Sequence, residues 1–164
     1  MTRRLLTIIV AMALICACEG IDCTLNNVVT LNIGFYSSES GKKVSISDTL
    51  NITAEGTDSV LLNRGYNISS VALPMSYWQA ADTLHMLFHA SGDTDETYEI
   101  VLRIAKDNTQ YFESPDCPTV MMHEITGFDY DDPYQLTDSI VVENTSINYA
   151  SLENIKIYLR GSTN

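Results

Sequence analysis

From residue 29 onward the chain alternates apolar and polar positions with a period of two. Val29, Leu31, Ile33 and Phe35 fall on one side, with Thr30, Asn32 and Gly34 between them, the pattern of a strand with one buried face. The alternation returns at Leu50, Ile52 and Ala54, and Glu55-Gly56-Thr57-Asp58 then turns the chain into a short run over 59–62, which reads as a hairpin. Asn63-Arg64-Gly65 reads as another turn, before a strand over 68–73 that Pro74 ends or confines to a sheet edge. The clearest pair lies at 83–90 and 98–105. There Leu84, Met86, Phe88 and Ala90 share one face, matched by Tyr98, Ile100, Leu102 and Ile104 across the polar run 91–96. Lys106-Asp107-Asn108 reads as a turn into 110–113, Pro115 and Pro118 bracket Cys117, and 119–128 supplies a further strand. An acidic, aromatic loop over 129–136 precedes final strands at 139–143 and 154–159.

No segment beyond residue 28 holds a 3.6-residue period over a helix length, whereas about nine short strands recur at roughly even spacing. The expected fold is all-β: an immunoglobulin-like antiparallel β-sandwich, with a small closed β-barrel as the alternative.

The first residues follow a different pattern. Arg3 and Arg4 precede an apolar run over 5–17, and Ile15-Cys16-Ala17-Cys18 places an aliphatic residue three before a cysteine and a small one just before it. This resembles a bacterial lipoprotein export signal with Cys18 as the lipidated residue. Thirteen residues at about 1.5 Å each span roughly 20 Å, short of the roughly 30 Å a transmembrane helix crosses. The expected organisation is a signal peptide over 1–17, a lipidated tether over 18–27 and a sandwich domain over 28–164.

Loss of 1–17 removes two of nine basic residues and no acid, so the formal charge moves from −12 to −14. That disfavours nucleic acid, which needs a positive surface. Cys16 leaves with the signal and Cys18 takes lipid, so Cys23 and Cys117 remain and are expected to pair as a disulfide in an oxidising compartment.

Catalytic patterns are missing. His123-Glu124 lacks a second histidine at metalloprotease spacing, Gly41-Lys42-Lys43 lacks the rest of a phosphate loop, and no serine sits in a nucleophile elbow. His85 and His89 share a strand face but stand roughly 13 Å apart, too far for one metal ion. Asp93, Asp95 and Glu96 in one loop and Asp129, Asp131 and Asp132 in another are acidic enough to interest calcium, yet neither fits a calcium-loop pattern and solvated turns are the favoured reading. Trp78 with Tyr77, Tyr130 and Tyr134 offers aromatic surface for a sugar or peptide, with Trp78 favoured as a core or loop anchor. No catalytic residue, metal ligand or cofactor is expected. Four copies of Asp, Ser/Thr, aliphatic occur, at Asp48-Thr49-Leu50, Asp58-Ser59-Val60, Asp82-Thr83-Leu84 and Asp138-Ser139-Ile140. They read as turn chemistry before strands, and they resemble the O-glycosylation acceptor of exported Bacteroidetes proteins, which would make Thr49, Ser59, Thr83 and Ser139 the sites.

Cys18 after an export signal, Cys23 at the opening of the fold, Tyr111-Phe112-Glu113-Ser114-Pro115-Asp116-Cys117, and the ending from Asp138-Ser139-Ile140 to Asn154-Ile155-Lys156-Ile157-Tyr158-Leu159 together resemble a domain-of-unknown-function family of small Bacteroidetes envelope lipoproteins. Here Cys117 is followed by Pro118 and Thr119, where that family usually has glycine and an aromatic. The resemblance implies an envelope lipoprotein of sandwich type with no known activity, and the expected location is the outer membrane, held through the N-terminal lipid on its periplasmic or surface face. The expected function is therefore a non-enzymatic interaction or assembly module acting on another envelope protein, with a glycan- or calcium-binding module as the alternative.

Overall fold

The computed structural model describes Cys23 and residues 28–57, 59–90 and 96–161. The signal segment 1–17, Cys18, and the tether 18–27 apart from Cys23 lie outside the described residues, as do Asp58, Asp93 and Asp95.

Among the described residues all regular elements are strands: β1 (Thr30–Ser37), β2 (Thr49–Ala54), β3 (Val60–Gly65), β4 (Ser70–Pro74), β5 (Ala81–His89), β6 (Thr97–Tyr111), β7 (Val120–Asp131), β8 (Thr137–Val142), β9 (Ser146–Ile147) and β10 (Ile155–Leu159). A four-stranded sheet has the order β4-β1-β10-β8, and a six-stranded sheet the order β3-β2-β5-β6-β7-β9. The two pack against each other as a β-sandwich, with one sheet curled like half a barrel.

The period-two residues make the layer between the sheets. Leu31, Ile33, Phe35, Ile155 and Ile157 come from the small sheet and Leu50, Ile52, Met86, Ile100, Leu102 and Ile104 from the large one, all fully buried. Each such side chain contributes about 1.5–3 kcal/mol by leaving water. Cross-strand register keeps them aligned, with Leu84 opposite Leu102, Met86 opposite Ile100 and Phe88 opposite Tyr98. Pro74 closes β4 at the edge of its sheet, as its missing N–H requires.

Four expectations need correction. The sheets are not wholly antiparallel, because β1 pairs with β10 in parallel. No tight turn links strands so far apart in sequence, so nothing local dictates their direction. Asn154, 1% exposed, fixes that pairing: its Oδ1 accepts from Asn32 N at 3.0 Å, its own N–H donates to Asn32 O at 2.8 Å, and its Nδ2 donates to Asn144 O and Ser146 O. Lys106-Asp107-Asn108 is not a turn. β6 runs straight through it to Tyr111, with only a register shift against β7 between Ala105 and Lys106. Likewise β3 continues through Asn63-Arg64-Gly65, with Arg64 at φ 54° and Leu50 paired to Gly65, and β7 reaches Asp131 into the expected loop.

The sandwich has two ends. β1 starts, β4 finishes and β5 starts at the entry end, where the chain enters the fold. Phe88 lies seven residues beyond Ala81 along β5, roughly 23 Å away at the distal end.

Candidate functional site

At the distal end the sheets part around a cleft of about 330 Å³. The segment 44–48 crosses from the small sheet to the large one and is held there by Val44 N donating to Phe35 O at 2.9 Å and Ile46 N donating to Ile68 O at 3.0 Å. Ile46, Phe88, Tyr98, Leu136 and Leu159 give the cleft apolar walls, and Asp48 and Arg160 bring one charge of each sign to its lining. Tyr98 is braced from outside, its hydroxyl donating to Glu96 and its ring edge-on to Tyr134 at 5.4 Å. The hydrogen bond to that carboxylate, with burial second, pushes the Tyr98 hydroxyl pKa up. Asp132 shapes the neighbouring loop by accepting from Leu136 N at 3.0 Å, Thr137 N at 2.8 Å and Thr137 Oγ1 at 2.8 Å. Its oxygens are thus engaged in turn chemistry, whereas Asp129 and Asp131, expected in the same turn, lie in β7.

The entry end is built on a buried cation. Lys106, 2% exposed, donates from Nζ to Ser76 O at 2.7 Å, Gln79 O at 2.8 Å and Asn108 Oδ1 at 2.9 Å, with Asp82 Oδ2 at 3.5 Å. Asp82, itself buried, accepts from Ser76 N at 3.2 Å. Burial pushes the Lys106 amine down, opposed by the Asp82 charge and hydrogen bond. The network pins the connection between β4 and β5 onto β6, which places Tyr77 and Trp78 at the surface. Trp78 is 75% exposed, so the expectation of a core or loop anchor is corrected. The backbone on either side carries the anchoring, leaving the indole outside.

His123 completes the cluster, with Nδ1 donating to Asn108 Oδ1 at 2.7 Å. Burial, and then the Lys106 cation, depress its pKa to about 4, while Asp82 acts the other way. Between pH 6.5 and 4 the unfolded chain therefore binds a proton at this position that the folded chain does not. Stability falls as pH drops through that window, by on the order of 3 kcal/mol in all. Denaturant titrations of the protein and of His123→Gln between pH 7 and 4 check this: the difference between their pH slopes is the histidine contribution, and equal slopes would contradict it.

The structure joins Cys23 to Cys117, whose α-carbons are 5.7 Å apart across 94 residues of sequence. The pairing expected from cysteine counting is present, and it ties the chain before β1 to the connection between β6 and β7. His85 and His89 lie on the outer face of β5, as alternation predicts. Each is engaged singly, His85 Nδ1 with Glu99 Oε1 at 2.8 Å and His89 Nε2 with Asn51 Nδ2 at 2.9 Å. Among the described residues no group of three or more His, Cys, Asp or Glu is arranged to hold a metal ion. Of the four Ser/Thr candidates, Ser59 is exposed and Thr49, Thr83 and Ser139 are half-buried. Asp82 and Asp138 sit inside strands, in ion pairs with Lys106 and Arg160, so turn chemistry does not explain those two copies.

A family of unknown function, DUF6452, matches residues 49–159. The match takes in β2 to β10, and with them Cys117, the Lys106 network and the cleft walls from Phe88, Tyr98, Leu136 and Leu159, while Ile46, Asp48 and Arg160 lie outside it. No curated protein and no solved structure matches.

Proposed function

The chain belongs to DUF6452, a family of unknown function, and from that premise we propose that it is a non-enzymatic module, lipid-anchored to the outer membrane through Cys18, that binds another envelope protein through the distal cleft. The observation that carries the binding part is the cleft itself. Its volume of about 330 Å³ suits one or two apolar side chains of a partner. Its walls combine Tyr98 with aliphatic residues, and Asp48 and Arg160 give a partner charges to read. It also opens at the end away from the disulfide, so anchoring the N-terminus leaves it facing outward. The anchor rests on the export pattern around Cys18, and the disulfide fits an oxidising envelope compartment.

A photo-crosslinking residue at Leu136, introduced in living cells, tests the binding. The expected result is one discrete adduct with a second envelope protein, reduced at least tenfold by Leu159→Asp beside it at the end of β10 while circular dichroism stays unchanged. The same crosslinker at Val141, exposed on β8, serves as the control. Equal adducts from both positions, or none from Leu136, would count against the cleft.

A further inference from the structure

Trp78 is the chain's one tryptophan, and it sits among the residues that would face the membrane if the N-terminus is lipidated. Of the large hydrophobic side chains that are exposed, Val28, Tyr77, Trp78, Tyr111, Phe112 and Leu152 all belong to the entry end. Their proximity follows from independent contacts. Tyr111 packs edge-on against Tyr149 at 6.0 Å, and Tyr149 also feels Tyr77 electrostatically. Leu152 O accepts from Asn32 Nδ2 near the start of β1, and Thr30 pairs with Pro74 just before the connection that carries Trp78. Phe112, 58% exposed, lies on the same segment as Cys117.

The length and attachment of the N-terminal chain say what covers this rim. Cys23 is bonded to Cys117, five residues from Phe112, and Cys18 lies five residues before Cys23. Five extended residues reach at most roughly 17 Å. A lipid on Cys18 therefore holds the bilayer surface within that distance of the disulfide, whose Cys117 stands on the same segment as Phe112. Tryptophan and tyrosine favour this depth, because an apolar ring and a polar N–H or O–H suit the boundary between acyl chains and headgroups. A lipid chain with a second membrane contact is also held far more firmly than one chain alone.

We propose that Trp78, Tyr77, Tyr111 and Phe112, with Val28 and Leu152 beside them, form a membrane-docking rim that seats the sandwich end-on on a zwitterionic lipid surface. The proposal rests on the lipid anchor at Cys18. Glu113 and Asp116 beside Phe112 are exposed acids, so an anionic surface is disfavoured.

The emission of Trp78 reads the docking directly. The full mature chain, carrying its own lipid, is inserted into phosphatidylcholine vesicles with and without brominated acyl chains. The expected result is a blue shift relative to the unlipidated Cys18→Ala protein and at least twofold quenching by bromine. Both effects halve in Phe112→Ser/Leu152→Ser, which retains the tryptophan, and shrink when phosphatidylglycerol replaces half of the lipid. Vesicle flotation and the mass of the native protein report the anchor separately. A floating, lipidated protein whose Trp78 emission matches that of Cys18→Ala overturns the rim and leaves the anchor standing. If the native chain carries no lipid, a maleimide lipid coupled to Cys18 repeats the test, and an unshifted emission again overturns the rim. A shift produced by soluble oligosaccharides and not by vesicles would make the rim a sugar platform and overturn membrane docking.

Discussion

Lys106→Ala is expected to destabilise the fold by about 3–5 kcal/mol, the range for removing one partner of a buried ion pair. The physical reason is what remains behind. Without the ammonium, Asp82 is a buried carboxylate that keeps only Ser76 N as a donor among its bonds described above, and Ser76 O and Gln79 O lose the donor they share. The loss also loosens the connection between β4 and β5, so Trp78 emission should change with it. Lys106→Met/Asp82→Leu removes both charges and keeps apolar volume, and it is expected to lose less than the single alanine variant. Urea denaturation of the three proteins decides the matter. A loss below about 1 kcal/mol in Lys106→Ala would place the lysine among ordinary surface charges.

The second large effect is expected from Cys23→Ser/Cys117→Ser. A loop of this length, closed in the unfolded state, is worth about 4–5 kcal/mol of chain entropy, and measured losses on removing native disulfides from small secreted domains run about 2–5 kcal/mol. The variant should fold, because the core between the sheets contains neither cysteine, but with a lower denaturant midpoint. Reduction of the unmodified protein should lower the midpoint by the same amount. A midpoint that moves in neither case would mean the bond constrains nothing.

Alternation alone predicts the buried faces of β1, β2, β5, β6 and β10, because each strand has one face against the other sheet and one against water. The failures have a common cause in long-range contacts. Lys106-Asp107-Asn108 looks like a turn to any local reading. Its polarity is absorbed by Ser76 and Gln79, about thirty residues earlier in the chain, whose carbonyls take the lysine inside the fold. The parallel pairing of β1 with β10 depends on Asn154 meeting Asn32, a contact across 122 residues. Trp78 defied the expectation that a lone tryptophan is buried, since its place is set by the backbone bonds of its neighbours.

The candidate sites were legible to different degrees. Cysteine counting pointed to the disulfide once the export reading had set Cys16 and Cys18 aside, leaving Cys23 and Cys117. The cleft was invisible, since Ile46, Phe88, Tyr98, Leu136 and Leu159 come from distant segments that only the sandwich brings together. The aromatic rim was half legible: Tyr77-Trp78 and Tyr111-Phe112 stand out in the sequence, but their shared end depends on topology.

Anchoring through Cys18 is the premise that gives the cleft and the rim their orientation, and intact mass of the protein purified from its own envelope tests it most directly. The account predicts a chain that begins at Cys18, carries lipid mass absent from Cys18→Ala, and gains one hydrogen at each of Cys23 and Cys117 on reduction. Sugar mass on the peptides that hold Thr49, Ser59, Thr83 or Ser139 would add the glycosylation reading. A chain that keeps residues 1–17, or one that begins at Cys18 with a bare thiol, would contradict the account.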